Sequence, residues 1–286
     1  MLLEIDGAIL DTPDHRPVLA LLNMVADKRH DWFPDLIQAQ RTAEFVQGFR
    51  RAELRMPLLE KWVEEAAGEA SYPRPPDSRR TVGVGVADLA AVVADLEQAA
   101  VFLVENLLAD GAFFAQVAVA LGEDRIVQAI EMKWLRIGHG GGAPQMPELG
   151  VAECKKFSIV GPRVALLFDG DRTGPGLPSN NEKGKARAHA FGIRHVHILT
   201  FRSAENYVPL VVWEHLYPRQ VRKIAKLRLM PPEQRGYQGK DAYPGKILPR
   251  QLTVADRNAA EADFHELGSD VVAELRRILA MIHEIL

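Results

Sequence analysis

Residues 164–172 read VALLFDGDR, an apolar run that leads directly into two aspartates. A continuous apolar run of this kind is typical of a strand covered on both faces in a parallel sheet. Asp169 and Asp171 follow on either side of Gly170, and in extended backbone residues two apart point to the same side. Two carboxylates on one side repel each other unless a cation lies between them, and Mg²⁺ is suited to that position. The alternative is a loop in which Asp-Gly simply turns the chain.

The composition describes a chain long enough for one large domain or two modest ones. It has 286 residues, of which 47% are hydrophobic and 26% are charged, and its formal net charge is -3. Without an overall basic excess, any binding of nucleic acid has to come from a local patch. A single cysteine excludes an internal disulfide and a cysteine-based zinc cluster. Because no basic leader opens the sequence and no apolar run approaches a membrane span, we expect a soluble, cytoplasmic protein without membrane contact.

Residues 1–95 are expected to form a mainly helical N-terminal region, whose role the sequence does not indicate. MLLEIDGAIL at its start is a candidate short strand. Residues 35–70 are strongly helical in composition, and Leu54 is among their expected core residues. SYPRPPDSRR at residues 71–80 is the most linker-like stretch of the chain.

Residues 96–215 alternate between strand and helix patterns, which predicts an α/β fold with a Rossmann-like parallel sheet. The strand-like segments are AVFLVEN, IEMKWLRIG, RVALLFDGD and RHVHILTF. Strands joined through helices imply right-handed crossovers, and ligands of such sheets bind outside the carboxyl ends of the strands. Acids stand at those ends: Glu105 after the first strand, Asp169 and Asp171 after the third, and Glu205 after the fourth. Residues 216–286 are expected to form a helical C-terminal extension.

Four segments in this order resemble the TOPRIM domain of topoisomerases, primases and OLD-like nucleases. They are VFLVEN, GHGGG, LLFDGDR and HILTFRSAENYVP, within roughly residues 100–215. In that family a strand-terminal glutamate and a later D-x-D pair bind Mg²⁺, and the resemblance implies these catalytic and metal-binding roles for Glu105, Asp169 and Asp171. The segment RSAENY is similar to OLD-like nucleases and related effectors of bacterial antiviral defence. It implies Glu205 as a further metal ligand.

Two positions differ from the family pattern. Asn106 stands directly after the glutamate, where the family usually has glycine. A further acid commonly follows the glutamate after about four residues, whereas Asp110 lies five residues after Glu105. Asp110 is therefore included among the candidate metal ligands as the member that matches less well. The sequence contains no Walker A motif, so an ATPase of the ABC or SMC kind would have to be a separate partner chain.

The resemblance implies a Mg²⁺- or Mn²⁺-dependent endonuclease that hydrolyses phosphodiester bonds of DNA, tRNA or other RNA. It also implies an effector of an antiphage defence system that works with a separate ATPase. A polyanionic substrate requires basic groups around an acidic site. The candidate nucleic-acid-binding residues are Arg172, Lys183, Lys185, Arg187 and Arg202, although each singly also fits a solvated surface. The alternatives are a non-catalytic regulatory or binding subunit with this fold and an enzyme related to primases or topoisomerases.

Three other features of the sequence are rival candidates for a functional site. GHGGGAP at residues 138–144 is similar to the oxyanion loop of lipase-like esterases, but the sequence lacks the G-x-S-x-G motif that such an enzyme needs. His195 and His197 share one face of a strand, and without an evident third ligand we interpret them as structural. Tyr207 is interpreted as a packing residue.

The last helix carries an apolar stripe at helical spacing. The stripe consists of Leu275, Ile278, Leu279, Ile282 and Ile285. Two alternatives remain open from the sequence. The stripe forms the contact face of a homo-oligomer or of a docked ATPase, or it packs on the chain's own core.

Overall fold

The computed structural model describes residues 1–49, 56–70, 72, 80–245 and 248–286. These residues belong to an α/β protein with two compact units, each built on a parallel sheet. Unit 1 consists of Met1–Ala99, residues 156–161 and Leu286, and unit 2 consists of Ala100–Lys155 and Pro162–Ile285. The predicted linker lies outside the described residues except for Tyr72 and Arg80, and the predicted core residue Leu54 lies outside them as well.

Unit 1 contains helices and a three-stranded parallel sheet. Its elements are β1 (Leu2–Ile5), α1 (Arg16–Ala26), β2 (Asp31–Trp32), α2 (Leu36–Gly48), α3 (Met56–Glu69), β3 (Thr81–Val84) and α4 (Leu89–Glu97). The central strand β1 pairs in parallel with β2 and with β3. The sequence predicted β1 and the helical character of this region, but not the sheet. Its two other strands are only two and four residues long, which is too short for a recognisable alternation.

The carboxylate of Asp95 ties residues 156–161 into unit 1. Asp95 lies in α4, is 3% exposed, and accepts hydrogen bonds from the backbone amides of Ser158, Ile159 and Val160 at 2.9, 2.6 and 2.8 Å. Burial raises the pKa of a carboxyl group, but these bonds outweigh burial and lower the pKa of Asp95. A segment distant in sequence is thus held by one ionised side chain.

Unit 2 contains the predicted four-stranded parallel sheet. Its first elements are β4 (Ala100–Val104), α5 (Ala112–Ala120), α6 (Asp124–Glu131), β5 (Leu135–His139), α7 (Met146–Cys154), β6 (Val164–Phe168), α8 (Glu182–Ala190) and β7 (His195–Ile198). The strand order is β5-β4-β6-β7, and all three pairings are parallel. Every residue of β4 and β6 is buried, as expected for central strands covered on both faces. The segments that follow β4 and β6 therefore leave the same edge of the sheet side by side.

The remainder of unit 2 is mostly helical. Its elements are α9 (Leu210–Leu216), α10 (Val221–Arg228), α11 (Pro232–Arg235), β8 (Thr253–Val254), β9 (Arg257–Asn258), α12 (Glu261–Phe264) and α13 (Ser269–Ile285). Strands β8 and β9 form a short antiparallel pair. One predicted strand is too long: IEMKWLRIG begins in α6, and β5 starts only at Leu135. The first residues of this segment continue the apolar spacing of α6 instead of beginning a strand.

The apolar stripe of α13 packs on the core of unit 2. Its five residues are at most 2% exposed, and α13 contacts β4, β6 and α6. The prediction that this stripe forms the contact face of an oligomer or of an ATPase complex is therefore wrong, because the face is already covered by the chain itself. Among the described residues, each helix is too short or too polar to span a bilayer.

Candidate functional site

The two strand ends that carry the predicted acids meet at one edge of the sheet. Val104 of β4 pairs with Leu167 of β6, so Glu105 and Asp169 leave neighbouring strands at adjacent levels. The backbone amide of Asp169 donates a hydrogen bond to Glu105 Oε1 at 3.0 Å. The structure thus brings together the two acids that the sequence placed at one site.

The Asp-Gly-Asp turn is shaped by Gly170. A Cβ atom at this position would collide with the backbone carbonyl oxygens of Leu199 and Phe201, so only glycine fits. Asp171 has a φ of 49°, and its amide donates to the carbonyl of Arg202 at 2.9 Å. The expectation of an extended Asp-x-Asp pair is therefore wrong at Asp171, which adopts the left-handed conformation that aspartate tolerates better than most residues.

Asn181 connects the acids of both strands, although it is not among the site residues predicted from the sequence. Its side chain belongs to a residue only 6% exposed, and Nδ2 lies 3.2 Å from Glu105 Oε1, 3.4 Å from Asp171 Oδ2 and 2.9 Å from the carbonyl oxygen of Asp169. An asparagine directly before a helix is typical of an N-cap. Asn181 precedes α8, yet its side chain makes no capping bond. Its amide group serves the acidic site instead.

A short π-helical turn at Leu107–Gly111 carries Asp110 to the cluster. Asn106 Oδ1 accepts hydrogen bonds from the amides of Leu108 and Ala109 at 3.1 and 3.3 Å. In return, Asp110 Oδ2 accepts one from the amide of Asn106 at 2.9 Å. Asp110 is only 5% exposed. Burial raises its pKa to about 6, with contributions from Glu205 and Glu105 against the opposing effects of the Asn106 amide and Lys240.

Glu205 reaches the cluster from the segment after β7. It is 3% exposed, and its Oε1 lies 3.3 Å from Lys240 Nζ. Its buried Oε2 has no hydrogen-bond partner among the residues that the structure describes. Lys240 was not predicted, because its segment reads only as an interruption between helices. Asn206 holds the two segments together, since its Nδ2 donates to the carbonyl of Gln238 at 3.1 Å and to Tyr243 Oη at 2.9 Å.

The cluster carries more negative than positive charge. Burial raises the pKa of Asp169 well above its usual value, and the neighbouring Asp110 and Glu105 raise it further. The pKa of Glu105 is also raised, by burial first and by Asp171 in addition. For Lys240, burial would lower the pKa, but the attraction of Glu205 and Asp169 outweighs burial and raises it. Ionising each of these carboxylates beside the others costs free energy, which is why their pKa values are raised. A bound cation would offset this cost.

These side chains fit Mg²⁺ or Mn²⁺. Both ions prefer carboxylate oxygen ligands, and within the described part of the chain the buried Oε2 of Glu205 has no hydrogen-bond partner to displace. Within the described ranges, no three Asp, Glu, His or Cys side chains already converge at metal-ligand distance. In this structure, the carboxylate oxygens of the cluster are instead contacted by separate donors, which are Asn181, Lys240 and backbone amides.

The predicted nucleic-acid-binding residues differ in their surroundings. The guanidinium group of Arg172 donates to the carbonyls of Leu199 and Thr200 at 2.5 and 3.2 Å. It thereby holds the turn, and its contact with nucleic acid stays a prediction. Arg187 forms an ion pair with Glu148, and its guanidinium carbon lies 5.6 Å from the centre of the Phe191 ring.

Two lysines of α8 lie within four residues of Asn181 in the sequence. Lys183 is exposed and Lys185 is half-buried, and both belong to the turns of α8 that begin directly after Asn181. Arg202 is half-buried, and its backbone carbonyl accepts the amide of Asp171. Lys183 and Lys185 thus lie on the helix that follows Asn181, and their contact with nucleic acid stays a prediction.

The residues of the rival motifs have other roles in unit 2. Gly140 of the glycine-rich loop donates its amide to the carbonyl of Val104 at 2.7 Å, and the amide of Ala143 helps to hold Glu105. This loop therefore borders the acidic site. His195 faces Glu284 at 3.2 Å and His197 faces Glu274 at 2.8 Å, so both histidines pair with carboxylates.

Comparison of the chain with family models, with curated proteins and with solved structures gave no match in any of the three. The fold class and the geometry of the site consequently stand on this chain's own residues. The TOPRIM resemblance stands on its motif residues alone.

Proposed function

We propose that unit 2 is a Mg²⁺- or Mn²⁺-dependent endonuclease with a TOPRIM-like acidic site. One observation carries the proposal: Asn181 Nδ2 lies within hydrogen-bond reach of both Glu105 and Asp171, which follow two neighbouring parallel strands. Acids at this edge of a parallel sheet occupy the usual ligand-binding position of such folds. Glu105, Asp110 and Asp169 have raised pKa values, which supports a site that is completed by a cation.

The acidic residues divide into two groups. Glu105, Asp169 and Asp171 would hold the metal, and Glu205 and Asp110 would complete or support its shell. A bound Mg²⁺ supplies polarisation of the phosphodiester and a more acidic water molecule as nucleophile. Glu105 stands at the centre of the hydrogen bonds and is suited to orient that water.

The basic residues near the site would bind the substrate. Lys183 and Lys185 are placed at the start of α8, and a nucleic-acid backbone that crosses this edge of the sheet would meet their ammonium groups. Such contacts give affinity without sequence specificity. Arg187 would first have to leave Glu148.

The two departures from the family pattern are compatible with this function. The side chain of Asn106 caps the turn by accepting the amides of Leu108 and Ala109, so a residue larger than glycine is accommodated at this position. The extra residue before Asp110 is absorbed by the π-helical turn, in which the amide of Gly111 reaches the carbonyl of Asn106 at 3.3 Å. Asp110 therefore still reaches the cluster despite its spacing of five residues from Glu105.

We further propose that the enzyme is the effector of an antiphage defence system and that a separate ATPase controls it. The support is the similarity of RSAENY to such effectors. A non-catalytic subunit is the second candidate. It is favoured by the ion pair between Lys240 and Glu205, which already neutralises part of the acidic cluster.

Cleavage assays distinguish these proposals. Purified protein would be incubated with supercoiled DNA and with tRNA, in Mg²⁺ or Mn²⁺, with and without a candidate ATPase of the ABC or SMC kind and ATP. We expect cleavage that Asp171→Asn and Glu105→Gln abolish. Glu131→Gln is the matched control, because Glu131 is exposed and precedes β5, at the opposite edge of the sheet. A wild-type protein that cleaves neither substrate under any of these conditions would overturn the nuclease proposal in favour of the non-catalytic subunit.

A further inference from the structure

A buried glutamate in α13 connects this helix to the segment that follows β7. Glu274 is 2% exposed and stands next to the apolar stripe. Its Oε1 accepts hydrogen bonds from His197 Nε2, the Thr200 amide and Thr200 Oγ1 at 2.8, 2.8 and 2.9 Å. Its Oε2 accepts one from Tyr207 Oη at 2.7 Å. All of these donors belong to β7 or to residues 199–207.

Residues 199–207 form the wall against which the Asp-Gly-Asp turn is built. The carbonyls of Leu199 and Phe201 lie against Gly170, and the carbonyl of Arg202 accepts the amide of Asp171 at 2.9 Å. The same segment presents Glu205 to the cluster. Its position therefore sets where two of the candidate metal ligands stand.

The charge on Glu274 has a structural cost that its contacts offset. Burial alone would raise the pKa of this carboxyl group, but the hydrogen bonds from His197 and Tyr207 outweigh burial and lower it. An apolar residue would continue the stripe without this cost. Tyr207 extends the connection, because its hydroxyl also accepts the amide of Phe201 at 2.9 Å. Tyr207 is thus a hydrogen-bonding residue as well as the packing residue that the sequence predicted.

We propose that Glu274 is a positioning residue for the acidic site, and that it sets the geometry of Asp171 and Glu205 through residues 199–207. This inference rests on the proposed metal-dependent function. Among the described residues, the hydrogen bonds of Glu274 go to His197, Thr200 and Tyr207 and not to the acids of the cluster. It acts by fixing Thr200 and Tyr207, which in turn fix the backbone that holds the Asp-Gly-Asp turn. Residues that orient metal ligands in this indirect way change metal affinity by about 10- to 100-fold when they are replaced.

The test is direct titration of the full-length protein with Mn²⁺, followed by calorimetry, beside thermal unfolding. In Glu274→Gln, an NH₂ group has to face either Thr200 and His197 or the hydroxyl of Tyr207, so at least one donor loses its acceptor. We expect the affinity for Mn²⁺ to fall about 10-fold or more. Tyr207→Phe removes the hydroxyl and its bonds to Glu274 and to the Phe201 amide. Glu274 keeps its bonds to His197 and Thr200, so a smaller loss is expected. Val272→Ala is the matched control, since Val272 is buried in the same helix at 6% exposure and makes no contact of this kind.

The outcomes separate the inference from the function on which it rests. Reduced Mn²⁺ affinity in Glu274→Gln and Tyr207→Phe, with wild-type affinity in a similarly destabilised Val272→Ala, supports positioning. Wild-type affinity in all three variants overturns this inference and leaves the proposed nuclease standing. Should Glu274→Gln fail to fold, Tyr207→Phe against Val272→Ala decides the question alone. A wild-type protein that binds no Mn²⁺ overturns both proposals.

Discussion

The backbone amide of Asp169 donates a hydrogen bond to Glu105 Oε1 at 3.0 Å, and this bond joins the ends of two central strands through a carboxylate. The side chain of Asp169 lies beside further acids, which raise its pKa after burial has done so. Repulsion among neighbouring ionised carboxylates lowers the free energy of unfolding, unless a cation or a proton offsets it. The free energy of unfolding of the metal-free protein therefore reports the charge repulsion within the acidic cluster.

Asp169→Asn should raise the melting temperature of the metal-free protein at pH 8. The substitution removes a buried charge while it keeps the size of the side chain, and each kcal/mol regained should add about 2–4 °C for a unit of this length. The measurement is thermal unfolding in EDTA, repeated at pH 5, where the difference should shrink because the carboxyl group is more often protonated. A lower melting temperature for Asp169→Asn at pH 8 would contradict the charge repulsion described above.

Asp110 should make the metal-free protein less stable as the pH rises. Its pKa is raised to about 6 in the folded state, against roughly 3.9 in the unfolded chain. The folded state therefore holds its proton more tightly, so this contribution to stability is complete below about pH 4 and is lost as the pH rises through 6. The loss amounts to about 3 kcal/mol. Urea unfolding in EDTA between pH 4.5 and 7.5 should show this slope in the wild type and a flatter one in Asp110→Asn. Equal slopes would place the titration on another group.

Gly170→Ala should destabilise unit 2 and disturb the acidic site together. The new methyl group would meet two backbone carbonyls, which cannot move aside as a flexible side chain can. We expect a loss of about 3 kcal/mol or more in the free energy of unfolding. Gly239→Ala is the control, because a Cβ there lies 3.7 Å from Arg202 Nη1, an ordinary contact. Similar stability of the two variants would show that the turn at Gly170 is placed differently.

Asp95→Asn should weaken unit 1 at neutral pH. An amide cannot replace a carboxylate that accepts from several backbone amides, and we expect a cost of about 3 kcal/mol. Because the folded-state pKa of Asp95 is lowered, its contribution is present above roughly pH 4 and is lost as the pH falls further. Hydrogen exchange of the β1 amides at pH 7 and at pH 3.5 would measure the difference. Equal protection of wild type and variant at pH 7 would contradict the proposed anchor.

The sequence predicted those parts of the fold that depend on local pattern. The continuous apolar runs of β4 and β6 identify central strands of a parallel sheet, and the direction of such strands places Glu105 and Asp169 at one edge. The sequence pattern did not decide the structure where two different arrangements share the same apolar spacing. The stripe of α13 would look the same on a core helix and on an interface helix, and only the burial of residues such as Leu275 decides between them.

The residues that the sequence analysis missed act across long distances in the chain. Asn181 has the position of a helix cap, Lys240 lies in an irregular segment, and Glu274 looks like a solvent-facing residue on an amphipathic helix. Their roles arise from contacts with Glu105, Glu205 and Thr200 at separations of 76, 35 and 74 residues. No local periodicity encodes such contacts. Their only common signal is a polar side chain beside buried neighbours.

Lys240→Met should strengthen the binding of Mn²⁺ while it weakens the metal-free protein. The ammonium group lies 3.3 Å from Glu205 Oε1 and lowers the pKa values of Asp110 and Asp169. Without it the cluster is more negative, so a divalent cation is attracted more strongly. Because the Lys240 side chain is 55% exposed, solvent screens its charge, and a change of about 0.5–1 kcal/mol, or roughly 2- to 5-fold in affinity, is expected.

Lys183→Met serves as the control for this change of net charge. Lys183 is exposed on α8, so its loss should leave Mn²⁺ affinity nearly unaltered and should instead lower affinity for nucleic acid. Titrations of both variants and of the wild type in the same low-salt buffer separate a local effect from the overall charge. In Lys240→Met, the pH range over which the free energy of unfolding falls should also shift to higher pH, because Asp110 then keeps its proton to a higher pH. If Lys240→Met binds Mn²⁺ more weakly than the wild type, Lys240 is not a counter-ion that competes with the metal. It then supports the metal-bound arrangement of the carboxylates, since only a group that favours that arrangement lowers the affinity when it is removed.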